Sequence, residues 1–263
     1  MDLGLRGKVA LVAAASRGLG RAVAEELAAE GAVLVLCSRQ AETISKTAIE
    51  IAEATGTEVL ALRADVSNTQ DVATLVRSGI ERFGRIDILV TNGGGPPAGQ
   101  FESFSHEQWE AAARLTLFSA VELARNVLPG MKERGWGRIL NITSIAVKQP
   151  VENLMLSNSL RAAVTGFART LANEVATFGI TVNNIMPGYT RTERVEELSR
   201  MMAEREGISP ADFVARWERE IPMRRLGEPR EFAALAAFLV SERASYITGT
   251  SIQVDGGWIR ALM

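Results

Sequence analysis

Short apolar runs alternate with stretches of helical spacing along the whole chain, and this alternation restricts the fold more than any other feature. The runs fall at 9–13, 33–36, 58–62, 86–90, 138–142, 181–185 and 251–255. Between them lie helical patterns at 21–30, 43–55, 72–83, 105–127, 158–178 and 228–240. In the first of these Val23, Ala24 and Leu27 share one face, and Gly31 closes it. Strands that are apolar throughout are buried on both faces, which is the habit of parallel sheets covered by crossover helices. Right-handed crossovers then give an α/β, doubly wound, seven-stranded parallel sheet with helices on both faces.

The length of 263 residues suits one domain spanning 1–263. Only 190–226 breaks the rhythm. It is charged, contains Pro210 and Pro222, and carries helical pieces around 193–206 and 210–220. An insertion of that length reads as a lid or binding loop, with a surface decoration or subunit contact as the alternative. The net charge of −2 gives no electrostatic reason to expect a nucleic-acid or membrane partner. Of 29 basic residues only Lys8, Lys46, Lys132 and Lys148 are lysines. The lone cysteine, Cys37, excludes an intrachain disulfide and suits a reducing compartment. The apolar run 9–15 is too short to cross a bilayer, so a soluble, cytoplasmic protein is expected.

The first run leads into Ala14-Ala-Ser16-Arg17-Gly18-Leu19-Gly20 and then a helix. A glycine turn in that place lets the backbone N–H groups of a helix start approach a pyrophosphate, helped by the helix dipole. At the end of the second run an acidic residue would bond a ribose 2′-hydroxyl and a basic one would accept a 2′-phosphate. This chain places Ser38 and Arg39 there, with Arg17 in the turn, and no carboxylate. Two guanidiniums favour NADP(H); the alternative is that Arg39 merely opens a solvated loop.

Other segments carry a resemblance. Thr91-Asn92-Gly93-Gly94 is similar to Asn-Asn-Ala-Gly, and Gly137-Arg-Ile-Leu-Asn-Ile-Thr-Ser144 to a strand motif ending in serine. Pro187-Gly188-Tyr-Thr190-Arg-Thr192 and Gly249-Thr-Ser-Ile-Gln-Val-Asp-Gly-Gly257 follow in order. Together they resemble the short-chain dehydrogenase/reductase family of Rossmann-fold oxidoreductases, and most closely its 3-oxoacyl-acyl-carrier-protein reductase branch. The resemblance implies a cofactor site made by Ala14, Ser16, Arg17, Gly18, Leu19, Gly20, Ser38, Arg39, Asp65, Val66, Asn92, Gly93, Gly94, Arg161, Pro187, Gly188, Thr190 and Thr192. It also implies a homo-oligomer, a tetramer in preference, paired through 105–127 and 158–178. The family's glycine pattern is Thr-Gly-x-x-x-Gly-x-Gly, and Ala13 and Ala14 replace its first two members. Position 14 is expected to need only a small side chain, so that alanine is nearly neutral there.

The family's reaction uses Ser, Tyr, Lys and Asn. Ser144 falls on the serine, but Ser157 stands for the tyrosine, Arg161 for the lysine and Thr116 for the asparagine. The i,i+4 spacing puts Ser157 and Arg161 on one helix face, directed into the cleft. A serine hydroxyl is a far weaker acid than a phenol and is shorter. Arginine can hold ribose hydroxyls but does not titrate. Losing a positioned acid costs about 10²–10⁴ in rate, while proximity alone can still contribute about 7–11 kcal/mol.

The replacements for that acid are few. Tyr189 is the one phenol near the site, with packing as its expected work, and Tyr246 has no catalytic place. Lys148 and Glu152 lie in the loop after the fifth run and are expected to be solvated. His106 starts a helix. No cluster has metal-ligand spacing, and the serines lack the base of a Ser-His-Asp hydrolase. Three readings stand in order. The first is an NADP(H)-binding oxidoreductase of carbonyls or secondary alcohols with an atypical proton path. The second is a non-catalytic dinucleotide-binding or sensor protein. The third is an elimination or isomerisation enzyme using Ser144 and a loop carboxylate.

Overall fold

The computed structural model describes residues 2–262. Its centre is a seven-stranded sheet, parallel throughout, in the order β3-β2-β1-β4-β5-β6-β7. The strands are β1 Val9–Val12, β2 Val33–Ser38, β3 Val59–Arg63, β4 Ile88–Thr91, β5 Gly137–Ile142, β6 Ile180–Pro187 and β7 Ser251–Val254. The helices α1 Gly18–Ala29, α2 Ala41–Thr55 and α9 Pro229–Leu239 cover one face. The helices α3 Thr69–Phe83, α5 Ser119–Arg134 and α6 Met155–Val175 cover the other. The strand order reverses between β1 and β4, which is where an open α/β sheet leaves a crevice at its carboxyl edge.

Side-chain alternation explains the two-sided burial. Ala10 and Val12 of β1, with Leu34 and Leu36 of β2, pack under α1 and α9 beside Leu27 and Phe232. Val9, Leu11 and Ala13, with Val35 and Cys37, face α3, α5 and α6 beside Leu75, Leu123 and Leu171. Each large apolar side chain so enclosed contributes about 1.5–3 kcal/mol.

Three elements depart from the sequence reading for physical reasons. The first helix starts at Gly18 rather than 21, because the glycine turn itself forms its first turn. The pattern read as 105–127 is α4 His106–Ala113, a π-turn Arg114–Phe118, and then α5, which runs past Pro129 to Arg134. Pro129 removes one helical N–H, yet burial of Val127 and Met131 holds the axis on course until Gly135 ends it. The last departure is Ala14, whose φ is +50°. Alanine there was expected to be neutral; a left-handed backbone instead costs a residue with a Cβ about 1–2 kcal/mol.

The segment 190–226 forms α7 Glu193–Glu206 and α8 Pro210–Glu220. Phe213, Trp217, Ile221 and Leu226 build a third apolar cluster with Met186 and Trp258 at the carboxyl end of the sheet. Among the described residues no helix is long and apolar enough to cross a membrane.

Candidate functional site

The glycine turn closes against its neighbours too tightly for any side chain at position 20. A Cβ on Gly20 would lie 2.5 Å from the Ala14 carbonyl oxygen and 2.8 Å from Asn92 Nδ2. Asn92, just past β4, donates from Nδ2 to that carbonyl at 3.4 Å and so ties the turn to the fourth strand. Gly18 has φ +59°. Arg17 is the N-cap of α1, and no side chain caps the helix. Its first N–H groups and positive dipole end are thereby left for an anionic ligand. Ser16 and Leu19 complete the turn, both part-buried.

At the end of β2 the Ser38 hydroxyl donates to the Gln40 carbonyl at 2.9 Å, and Arg39 is exposed beyond it. Asp65 receives the Ser67 N–H and hydroxyl on one oxygen, at 2.9 and 2.7 Å. Burial works to raise its pKa, but the Ser67 bonds, with Arg39 and Arg63, hold the carboxyl below its ordinary value. Val66 beside it is buried. Arg17, Ser38, Arg39 and Asp65 thus border the β1–β2–β3 half of the carboxyl edge.

The other half is organised by a ladder of polar side chains that sequence reading missed. Thr91 donates to Asn141 at 2.8 Å, Asn141 to Asn184 at 3.1 Å and Asn184 to Ser251 at 3.0 Å. All four are partners in the strand register, on β4, β5, β6 and β7. The available signal was a polar residue at the matching depth of each of four apolar runs. Satisfied buried networks of this kind fix register.

Ser144 leaves β5 in extended conformation and caps the 3-10 turn Ile145–Val147, its Oγ accepting the Ala146 N–H at 3.1 Å. Ser157 lies in the first turn of α6 and is 9% exposed. Arg161, one turn on, is part-buried and bonded to backbone. Nη1 donates to the Ile142 and Thr143 carbonyls at 2.8 and 2.9 Å, and Nη2 to the Gly94 carbonyl at 2.6 Å. Its guanidinium therefore pins α6 to the ends of β4 and β5. Burial, and then the charge of Arg194, push Arg161 down to about 10, so it remains a cation at neutral pH.

Thr116 sits in the π-turn, a backbone irregularity frequent at functional sites. The bulge drives the Leu115 carbonyl toward Gly93, where a Cβ would lie 2.6 Å from it. Thr116 Oγ1 is buried without a hydrogen-bond partner. It faces a pocket of about 10 Å³ shared with Asn92, Gly94, Thr143 and Arg161, room for about one water. Thr116 and Arg161 thus line one pocket with the β4 loop, while Ser144 follows β5 and Ser157 lies one turn before Arg161 on α6.

Tyr189, Lys148, Glu152, Tyr246 and His106 do not line that pocket. Tyr189 stacks on Trp217 with centroids 4.4 Å apart and meets Trp258 edge-on at 5.7 Å. Burial, and then Glu220, raise its pKa well above the phenol range, so it holds its proton. Lys148 donates to Gln253 on β7 at 2.9 Å. Glu152 and Tyr246 are exposed, and His106 is exposed beside Glu110. A broad groove of about 680 Å³ between α1 and α9 carries Glu25, Glu26 and Glu228, and none of these candidate acids lines it.

The base of the 190–226 segment packs against the glycine turn and the loop after β4. Pro187 ends β6, and a Cβ on Gly188 just after it would lie 2.7 Å from Asp255 Cα. Thr190 is buried, and Thr192 caps α7 by accepting the Val195 N–H at 3.4 Å. Two α7 side chains reach across. Glu197 approaches Arg17 at 3.8 Å, and Arg194 donates to the Pro96 carbonyl at 2.9 Å. Arg194 escaped the sequence reading; its one mark was a cation in the first turn of a helix, against the dipole.

A family model described as Enoyl-(Acyl carrier protein) reductase matches residues 13–259. The 3-oxoacyl-acyl-carrier-protein reductase of Synechocystis sp. is 34% identical over 256 residues, 97% of this chain and 98% of the relative. The oxidoreductase UcpA of Salmonella typhimurium is 37% identical, with 96% and 95% covered. The structure of L-sorbose reductase from Gluconobacter frateurii, complexed with NADPH and L-sorbose, superposes with a TM-score of 0.95 at 36% identity, and each chain is covered completely.

Proposed function

Because the chain belongs to the short-chain dehydrogenase/reductase family of oxidoreductases, we propose that it is an NADPH-dependent carbonyl reductase with an atypical proton path. The observation that carries this reading is the uncapped start of α1 behind Gly18 and Gly20, with exposed Arg39 and an Arg17 held only by an exposed ion pair to Glu197 on the ribose side. These residues fit a dinucleotide phosphate: backbone N–H groups face it, no Cβ intrudes, and two cations await a 2′-phosphate. Several of the most similar solved structures are described as NADPH complexes or NADPH-dependent reductases.

When bound, the nicotinamide supplies hydride to a carbonyl carbon. This chain's own residues position and polarise. Ser144 and Ser157 offer hydroxyls to the carbonyl oxygen, and Arg161 holds positive charge beside them. That charge favours a developing alkoxide. Asp65 and Val66 border the adenine side, and Pro187, Gly188, Thr190 and Thr192 the nicotinamide side. The single-water pocket between Thr116 and Arg161 is the entry for a solvent proton, since no phenol stands there. We further propose a cytoplasmic homo-oligomer, a tetramer, in which 190–226 acts as a lid over one domain. The exposed Phe118 and Phe178 at the ends of the helical face support the pairing surface.

A second reading, a dinucleotide-binding protein without turnover, is favoured by one observation: three carbonyls already occupy the Arg161 guanidinium. The test separates both from failure. NADPH and NADH are titrated by fluorescence, and carbonyl reduction is then assayed across aldehydes, ketones and 3-oxo esters. Reduction with NADPH supports the first reading, binding without reduction supports the second, and no binding of either nucleotide removes both.

A further inference from the structure

Two guanidiniums rest on the loop after β4, and among the described residues neither has an acidic partner. Arg161 Nη2 donates to the Gly94 carbonyl at 2.6 Å, and Arg194 Nη2 to the Pro96 carbonyl at 2.9 Å. Cations from α6 and α7 thus rest on carbonyls two residues apart in one loop. Gly95 between them permits the approach: a Cβ there would lie 3.2 Å from Arg194 Nε. The two charges feel one another, because Arg194 makes Arg161 easier to deprotonate. Among the described residues no ion pair includes either side chain. The α7 carboxylates that reach the cleft face elsewhere, Glu197 toward Arg17 and Glu193 toward Gly18.

Three unfavourable features coincide. Like charges are juxtaposed, Arg161 is desolvated, and Arg194 stands in the first turn of α7, where the dipole repels a cation. One anion placed between the guanidiniums relieves all three. The donors remain for it, since Arg161 spends only Nη1 and part of Nη2 on backbone, and Arg194 makes one bond. Planar forks on two sides suit an oxyanion with paired oxygens. We infer that Arg161 and Arg194 together receive an oxyanion, a carboxylate or phosphate carried by the ligand that enters the cleft. Arg194 is then a specificity residue. The inference rests on the reductase reading only for which molecule carries the charge, a dinucleotide through its phosphate bridge or an acidic carbonyl compound through its carboxylate.

The test compares wild type with Arg194→Gln by calorimetry, using 2′,5′-ADP, NADPH, inorganic pyrophosphate, acetoacetate and ethyl acetoacetate. The first probe reports the adenosine end alone. Arg200→Gln, an exposed change farther along α7, controls for overall charge. Losing one charged hydrogen-bonding fork weakens the true ligand by about tenfold or more. A loss for NADPH and pyrophosphate, with 2′,5′-ADP unchanged, identifies the phosphate bridge. A loss for acetoacetate but not its ester identifies the substrate carboxylate. If Arg194→Gln binds every probe within about twofold of wild type, or weakens 2′,5′-ADP as much as NADPH, the inference falls. If wild type binds no nucleotide, the reductase reading fails by itself, and acetoacetate and pyrophosphate still decide the anion site. Wild type binding none of the five overturns both.

Discussion

Restoring the phenol and ammonium tests the proton path directly, through the double substitution Ser157→Tyr with Arg161→Lys. Ser157 lies in the first turn of α6 with little exposed surface, and on the proposed reading a tyrosine there directs its ring into the cleft. A positioned acid is worth about 10²–10⁴ in rate, or about 3–5.5 kcal/mol of barrier. The same change removes a guanidinium that holds the Ile142, Thr143 and Gly94 carbonyls. An ammonium cannot fork across both strand ends and keeps one of the three. Charge-assisted bonds are worth about 1.5–3 kcal/mol each, less where solvent reaches them as at Gly94, so stability should fall by about 2–4 kcal/mol. The expected outcome is opposed signs: a lower urea midpoint, and NADPH oxidation with a ketone panel faster by about a hundredfold or more. Ser157→Tyr alone should recover part of the rate, because Arg161 still supplies positive charge. Arg161→Lys alone should recover none. A double variant that is folded and binds NADPH, yet turns over no faster than wild type, would refute the reasoning. The proton would then come from a group other than the missing tyrosine.

Three further outcomes follow from single residues. Ala14→Gly should remove a left-handed strain of about 1–2 kcal/mol against about 0.5–1 kcal/mol of added chain entropy. The net gain should raise the melting temperature by about 1–4 °C in calorimetry, and a lower melting temperature would contradict the strain at φ +50°. Glu197→Gln should free Arg17 from its ion pair and tighten NADPH, but not NADH, by about two- to fivefold, the worth of an exposed pair. Equal effects on both nucleotides would remove Arg17 from the 2′-phosphate site. Burial pushes the Cys37 thiol up to about 11, so below that pH it stays protonated as well as enclosed. It should ignore a thiol reagent at about pH 8 in the native protein and react fully in urea; rapid native labelling would contradict the buried placement.

The sheet was legible because each strand is apolar along its whole length, and only a surface covered on both sides tolerates that. Local placement at the candidate site was legible where a residue type has one physical use, such as Gly20 packed against a carbonyl. It was not legible where the outcome depends on partners remote in sequence. Whether Ala14 takes positive φ is settled by Asn92 and Gly20 packing on its carbonyl, not by its neighbours in the chain. The π-turn at Thr116 has the composition of ordinary helix; the approach of Leu115 to Gly93 marks it. The Asn141 and Asn184 ladder became visible only once the register aligned four separate strands.

On the proposed reading, in which Arg161 takes the place of the family's lysine, its guanidinium accounts for a crevice that persists without that ammonium. A lysine ammonium has three donors but on one point, so it would not span the carbonyls of Ile142, Thr143 and Gly94 together. The guanidinium reaches all three, so it braces the β4 loop against β5 from the side of α6. Bracing and proton transfer make opposite demands on one residue. A brace is best when all its donors are committed and its charge never changes, whereas a relay needs a free donor beside a titrating partner. With Ser157 unable to titrate near neutral pH, nothing is lost by committing three of Arg161's five donors to the backbone, which braces the cleft and leaves two for a ligand. The chemistry left to such a cleft is positioning and charge, and both serve best a ligand that brings its own negative charge to the pair of guanidiniums.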